Sequence, residues 1–180
     1  MLYTKNDPVG LDKPIQRLQE YLHGKLLALW GIDTSQYQAY GRCYRNQTED
    51  GYIPEVYIGG NEYKEVYVDD TVTALSFFGL SGHTKVDGAG YADVHLIFFV
   101  NVQALKNVPH RGDEEVRRDV QRLIAPGKFG FSLNGVELWI DNVFREYSGA
   151  RRSQGIKFRD MHPFHCFRLN MKLSYNIFNC

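Results

Sequence analysis

The residue types that could do chemistry in this chain gather in three places. His162, His165 and Cys166, in the run HPFHC, offer imidazole and thiol groups as metal ligands or as a base and nucleophile. On a strand, His162 would share a face with Cys166 while His165 points to the other side. Tetrahedral zinc needs about four converging ligands, commonly in spaced pairs. The chain has no second cluster of this kind, so strand-edge packing with a hydrogen-bonded histidine is the expected role. Asp69 and Asp70 are adjacent carboxylates of the sort that hold magnesium. As neighbours on an extended chain they point apart, which favours a solvated turn or a partner's cation. Gly79, Gly82, Gly88 and Gly90 match neither a P-loop nor a dinucleotide fingerprint, because no GK[ST] or strand–GxGxxG–helix context accompanies them. No serine or cysteine lies in a nucleophile elbow. The expectation is therefore no catalytic residue, no cofactor and no resident metal.

The third place is a segment of twelve residues, 148–159, that carries Arg151, Arg152, Lys157 and Arg159 with no acid. Loops longer than about 12 residues are uncommon in compact domains and tend to be functional or disordered. Residues 49–70 are the opposite: Glu49, Asp50, Glu55, Glu62, Glu65, Asp69 and Asp70 against Lys64 alone, a net charge of −6. The chain is thus neutral by segregation. The basic segment has three readings: a solvated loop, a sequence-independent contact with phosphates, or a contact with an acidic protein surface. A +4 patch and a −6 patch at different places on one subunit suit a head-to-tail contact that can close into a ring. Arg151, Arg152, Lys157 and Arg159 are then interface or DNA-channel candidates, and Glu55, Glu62, Glu65, Asp69 and Asp70 the complementary acidic surface. Pairing of the two segments within one subunit is the competing account.

These groups need elements to hold them. At 180 residues, with 43% hydrophobic and 23% charged residues, the chain suits one globular domain. A domain of this size buries about 70% of its unfolded surface, enough to stand without a disulfide or metal. Aromatics at 14%, with 12 Tyr and 11 Phe, favour strands. Cys43, Cys166 and Cys180 are odd in number and widely spaced, which points to a reducing compartment. The lack of a leader-like N-terminus and of a long apolar run points to a cytoplasmic, non-membrane product.

Residues 1–10 read as a polar arm. Leu11, Ile15, Leu18, Leu22, Leu26 and Leu29 recur at helical spacing, with Asp12 to cap and Gly31 to end the helix. Strands are predicted at 37–44, at 53–58 and 62–68 around a Gly59-Gly60-Asn61 turn, and at 73–78. A Gly-rich exposed loop is expected at 79–90, then a strand at 92–102, apolar on both faces and so covered on both sides. Residues 113–124 suit a second helix, with acids in its first turn and arginines after them. A hairpin about Asn134-Gly135, an extended loop at 148–162 and a last strand at 164–177 complete the pattern. The fold class expected is α+β: a mainly antiparallel β-sheet covered by two helices in a single domain.

The segments IPEVYIGGNEYKEVYVDD, HLIFFVNVQAL, RGDEEVRRDVQ, DNVFREYSGARR and FRDMHPFHCFRLNMKLSY resemble structural proteins of tailed phages and prophages of Bacteroidota, including crAss-like phages. The likeness covers most of residues 40–177, and its most specific parts are EYKEVYVDD, FREYSG and DMHPFHCFRL. The order of elements is similar to the tail-terminator or tail-completion fold. The resemblance implies a virion structural protein that forms a homo-oligomeric ring at the neck, between portal or connector and tail. It implies portal, connector and tail proteins as partners and no active site; for the basic segment, a subunit interface and non-specific contact with genomic DNA in the channel stand as equal alternatives. Two readings from other classes stand beside it: a small metal-dependent or nucleic-acid-processing enzyme using Asp69, Asp70, His162 and His165, and a non-specific DNA-binding module.

Overall fold

The heptad-like recurrence of Leu11, Ile15, Leu18, Leu22 and Leu26 becomes one buried stripe of helix α1 (Asp12–Trp30). Gly31 closes the helix at φ 65°, the left-handed conformation that glycine adopts without steric cost. Asp12 does not cap α1. It lies in the first turn and pairs with Lys5 and Arg42. Leu29 is half exposed, because the last turn leans toward the second long helix and buries Trp30, whose Nε1 donates to Asp119 at 3.1 Å.

The computed structural model describes residues 1–66, 71–86, 89–106, 108, 110–125, 127–153 and 161–176, with 84–86, 89, 151–153 and 176 described by backbone alone. Strands β1 (Leu2–Tyr3), β2 (Tyr37–Thr48), β3 (Gly51–Gly59), β4 (Glu62–Glu65), β5 (Ala74–Val86), β6 (Ala89–Asn101), β7 (Phe131–Leu138) and β8 (Phe164–Asn176) form one sheet. Its order is β4-β3-β2-β5-β6-β8-β7, with β1 beside β2. The β1–β2 and β2–β5 pairings are parallel and the others antiparallel. The α+β, mainly antiparallel expectation holds. Among the described residues the helices number five, not two: α1, α2 (Val102–Leu105), α3 (Asp113–Ile124), α4 (Ile140–Val143) and α5 (Ser148–Ser153). No described helix is long and apolar enough to cross a membrane.

Strand β6 sits in the middle of the sheet and is buried on both faces, as its doubly apolar sequence requires. Val94, Leu96, Phe98 and Val100 pack with α1, α2 and α3 on the first face. Ile97 and Phe99 pack with Phe144, Tyr147 and Ala150 of the α4–α5 segment on the second. Rings cross the first face as a ladder, Trp30–Tyr37–Phe98–Phe167–His165, with centroids 5.1–6.4 Å apart.

Three expected irregular segments are ordered elements instead. Residues 79–86 and 89–90 belong to β5 and β6, not to an exposed loop. The glycines there make room for rings: Gly79 is the ladder partner of His95 and Gly90 that of Tyr175, and each partner's ring covers the glycine's backbone. Asn134-Gly135 is no hairpin turn. It is a bulge in β7, where Leu133 pairs with Met171 and Gly135 with Asn170 of the same long strand β8. The expected 148–162 loop begins as helix α5, because Tyr147 and Ala150 are buried beside it and the Ser148-Gly149 backbone packs on Gly51. The N-terminal arm is likewise tied down. The Gln16 amide bonds both the N–H (2.9 Å) and the carbonyl (3.1 Å) of Lys5, substituting for a strand neighbour.

Candidate functional site

Polar side chains from four strands and the α4–α5 connection converge on the second face of the sheet. Strand β5 has a bulge between Leu80 and Gly82, and the extra residue, Ser81, turns its hydroxyl to that face. There Ser81 Oγ lies 3.0 Å from His95 Nδ1, accepts from Arg168 Nη2 at 3.0 Å and donates to Glu146 Oε1 at 3.3 Å. Arg168, with no exposed surface, is the centre. It grips both oxygens of Glu146, through Nη1 to Oε2 and through Nη2 to Oε1 (2.9 Å), and Nε donates to Asn170 Oδ1 at 2.7 Å. Asn170 Nδ2 donates to Glu137 Oε1 at 2.7 Å, and Glu137 pairs with Arg145. His95 Nε2 lies 3.2 Å from Tyr147 Oη.

The electrostatics follow from this packing. Burial, then the neighbouring Arg168 charge, hold the His95 pKa down to about 3, so its ring is neutral. Burial pushes the Glu146 carboxyl up, but the Arg168 hydrogen bond and the surrounding positive charge outweigh it and set its pKa at about 2. Burial raises the Tyr147 phenol and the nearby Cys43 thiol far above neutrality, leaving both protonated.

A hydroxyl beside a neutral imidazole has the parts of an activated nucleophile. Ser81, however, has one proton and two lone pairs, and three partners already engage them. The arrangement works as a bracket: it ties the 145–147 turn, and with it α5, to β5, β6 and β8. Gly79 is part of the bracket. A Cβ there would overlap the His95 ring and the Tyr147 hydroxyl. Gly79→Ala is expected to cost about 2–4 kcal/mol, as overpacking plus lost hydrogen bonds. Gly135→Ala, where a Cβ meets nothing within 4 Å, should stay within about 0.5 kcal/mol. Urea unfolding of the two variants side by side checks this.

The residues singled out from sequence are dispersed. Arg151 and Arg152 lie on α5; Lys157, Arg159, Asp69 and Asp70 lie outside the described residues. Helix α5 packs on β3 of the same subunit, with Ser148 and Gly149 against Gly51 and Ile53. Glu55, Glu62 and Glu65 lie further along the β3–β4 hairpin, with Glu55 opposite Glu65 in the ladder and bonded by Asn46 Nδ2. His165 and Cys166 are buried on opposite faces of β8, as alternation predicts, and His162 is exposed. His165 Nδ1 is 3.9 Å from Asp113 Oδ2. Among the described residues no group of three or more His, Cys, Asp or Glu side chains is placed to hold a metal.

Sequence reasoning missed Ser81, His95, Glu146 and Arg168. Arg168 shares its face of β8 with Asn170, Lys172 and Ser174, a pattern that reads as a polar face, so its burial against a carboxylate shows only in the fold. No protein-family model matches this chain, and no curated protein is similar to it.

Proposed function

We propose that this chain is a virion structural protein of a tailed phage. It assembles into a homo-oligomeric ring at the neck, tail-terminator-like, and joins the portal or connector to the tail. The observation that carries the reading is an open sheet with two unlike ends. At one end β7 pairs with no further strand on its outer side among the described residues; at the other stand the short β4 and the end of β1. An open edge is a template for pairing with another chain. Unlike edges on one subunit favour head-to-tail contacts, which close into rings. The bracket around Arg168 suits the same role, because it fixes α5, and with it the start of the basic segment, on a rigid sheet. A sister subunit or channel DNA is the partner this reading gives to Arg151, Arg152, Lys157 and Arg159.

Imaging of the purified chain at rising concentration, together with mass analysis and imaging of intact particles, tests the proposal. The expected result is closed rings of a single copy number, and the chain present in the particle at the neck. Particles that lack the chain would overturn it.

A further inference from the structure

Strands β1 and β3 share one edge of β2. The first pairs at Ala39 and Tyr40 and the second from Cys43 onward, so Gly41 and Arg42 between them pair with neither. This fork opens over α1 into a cavity of about 200 Å³. Gln19, only 2% exposed, lines it. Its Nε2 donates to the carbonyls of Tyr3 (2.8 Å) and Ala39 (3.0 Å), while its Oε1 has no hydrogen-bond partner. That oxygen faces Gly41, where a Cβ would stand 3.2 Å away. A buried amide oxygen left open is costly and calls for a donor. Lys5 and Arg42 also line the cavity, and both pair with the single carboxylate of Asp12, at 2.6 and 2.7 Å. The wall therefore carries one uncompensated positive charge. Ile15, Val56 and Ile58 supply apolar contact.

The guest that fits has a flat apolar body, one N–H donor and an electron-rich face for the cations. An indole has all three. Trp139 is 72% exposed and stands at φ 72°, a conformation rare for any residue with a side chain. Its carbonyl accepts from the N–H groups of Asn142 (2.9 Å) and Val143 (3.0 Å), and Asn142 Nδ2 donates to the Leu138 carbonyl (3.2 Å). The chain thus holds a strained backbone whose visible effect is to present a large ring to solvent, and such strain is concentrated at functional sites. Trp139 follows β7, four strand spacings from β2, or about 19 Å, so knob and cavity cannot meet within one subunit.

We infer that Trp139 of one copy seats in the β1–β3 fork of the next, its ring against Ile15, Val56 and Ile58 and its indole N–H on the Gln19 side of the cavity. The inference deepens the ring reading and rests on it. Knob and cavity lie at opposite ends of the sheet, so the contact is head-to-tail and repeats around a ring. An aromatic anchor in a desolvated pocket is also where interfaces concentrate their affinity.

The test uses the full chain in sedimentation and fluorescence. In Trp30→Phe, which leaves Trp139 as the one tryptophan, emission should shift to shorter wavelength in step with assembly. Trp139→Gly and Ile58→Glu, the second drawing a carboxylate across the cavity toward Lys5, should each weaken assembly by about 30-fold or more. Both positions are exposed, so neither variant should lower the unfolding midpoint, and Trp139→Gly, which relieves the positive φ, should raise it. Mixed in equal amounts, the two variants should form a heterodimer and nothing larger, one intact knob in one intact cavity. If the wild type assembles and both variants assemble equally well, the ring reading stands and this contact is wrong. A wild-type chain that stays monomeric at its highest soluble concentration also overturns the contact, while particle imaging decides the ring reading separately.

Discussion

Replacing Arg168 with leucine is expected to lower the unfolding free energy by about 3–5 kcal/mol, the usual consequence of removing one partner from a buried ion pair. The Arg168 side chain is 1% exposed, and its guanidinium supplies two bonds to Glu146, one to Ser81 and one to Asn170. Without it Glu146, whose side chain is 17% exposed, keeps its charge in a place that water reaches poorly. Arg145, 3.3 Å away, compensates in part and sets the cost toward the lower end of the range. For a chain of this length the loss corresponds to a fall in melting temperature of about 10 °C. Leucine at both 168 and 146 should recover much of it, because the apolar pair leaves no charge stranded. Denaturant unfolding of both single variants and the double closes the cycle. If Arg168→Leu alone is nearly neutral, the bracket does not hold the α4–α5 segment to the sheet.

The same cluster shows where sequence reading stopped. Helices α1 and α3 and strands β6 and β8 were legible because each repeats one chemical pattern over a dozen residues or more. Their periodicities of 3.6 and 2 survive any tertiary context. The glycines at 79–90 were misread because glycine has two causes, a free backbone and a close approach, and a linear sequence shows only the first. Gly79 and Gly90 are in strands because rings from β6 and β8 lie on them. Asn134-Gly135 carries a turn signature, yet β8 is long enough to pair on both sides of it, so the dipeptide became a bulge. The bracket was not legible as a unit at all. Ser81, His95, Glu146 and Arg168 come together only once β5, β6 and β8 are in register, and no local spacing encodes that. Trp139 shares a face with Glu137 and Asp141 by alternation, so an outward ring was legible there, but the positive φ with which the chain leaves β7 was not. The bracket also holds α5 against β3, with Ser148 and Gly149 on Gly51.

Acid should destabilise this protein before its carboxylates titrate, and His95 should be a principal cause. The ring is 1% exposed, lies over Gly79 between Ser81 and Tyr147, and has its pKa held down to about 3 by burial and then by Arg168. In the unfolded chain a histidine titrates near 6.5. Between these values the unfolded state binds a proton that the folded state refuses, so stability falls as pH falls, by up to about 1.4 kcal/mol per unit. The contribution is complete above about pH 6.5 and gone by about pH 3, a total on the order of 4–5 kcal/mol. Glu146 acts lower down: with its pKa at about 2 against 4.5 for the free group, its share is lost only as pH drops through that interval. His23, buried with its pKa also lowered, adds a slope of its own that a change at position 95 leaves in place. His95→Gln keeps a donor and an acceptor for Ser81 and Tyr147 but removes the titration. Unfolding free energies measured by urea from pH 7 to 4.5 should therefore fall less steeply in His95→Gln than in the wild type, by close to one proton at the lower end. Parallel slopes would mean that His95 is protonated in the folded protein, which the Arg168 guanidinium two bonds away through Ser81 makes unfavourable.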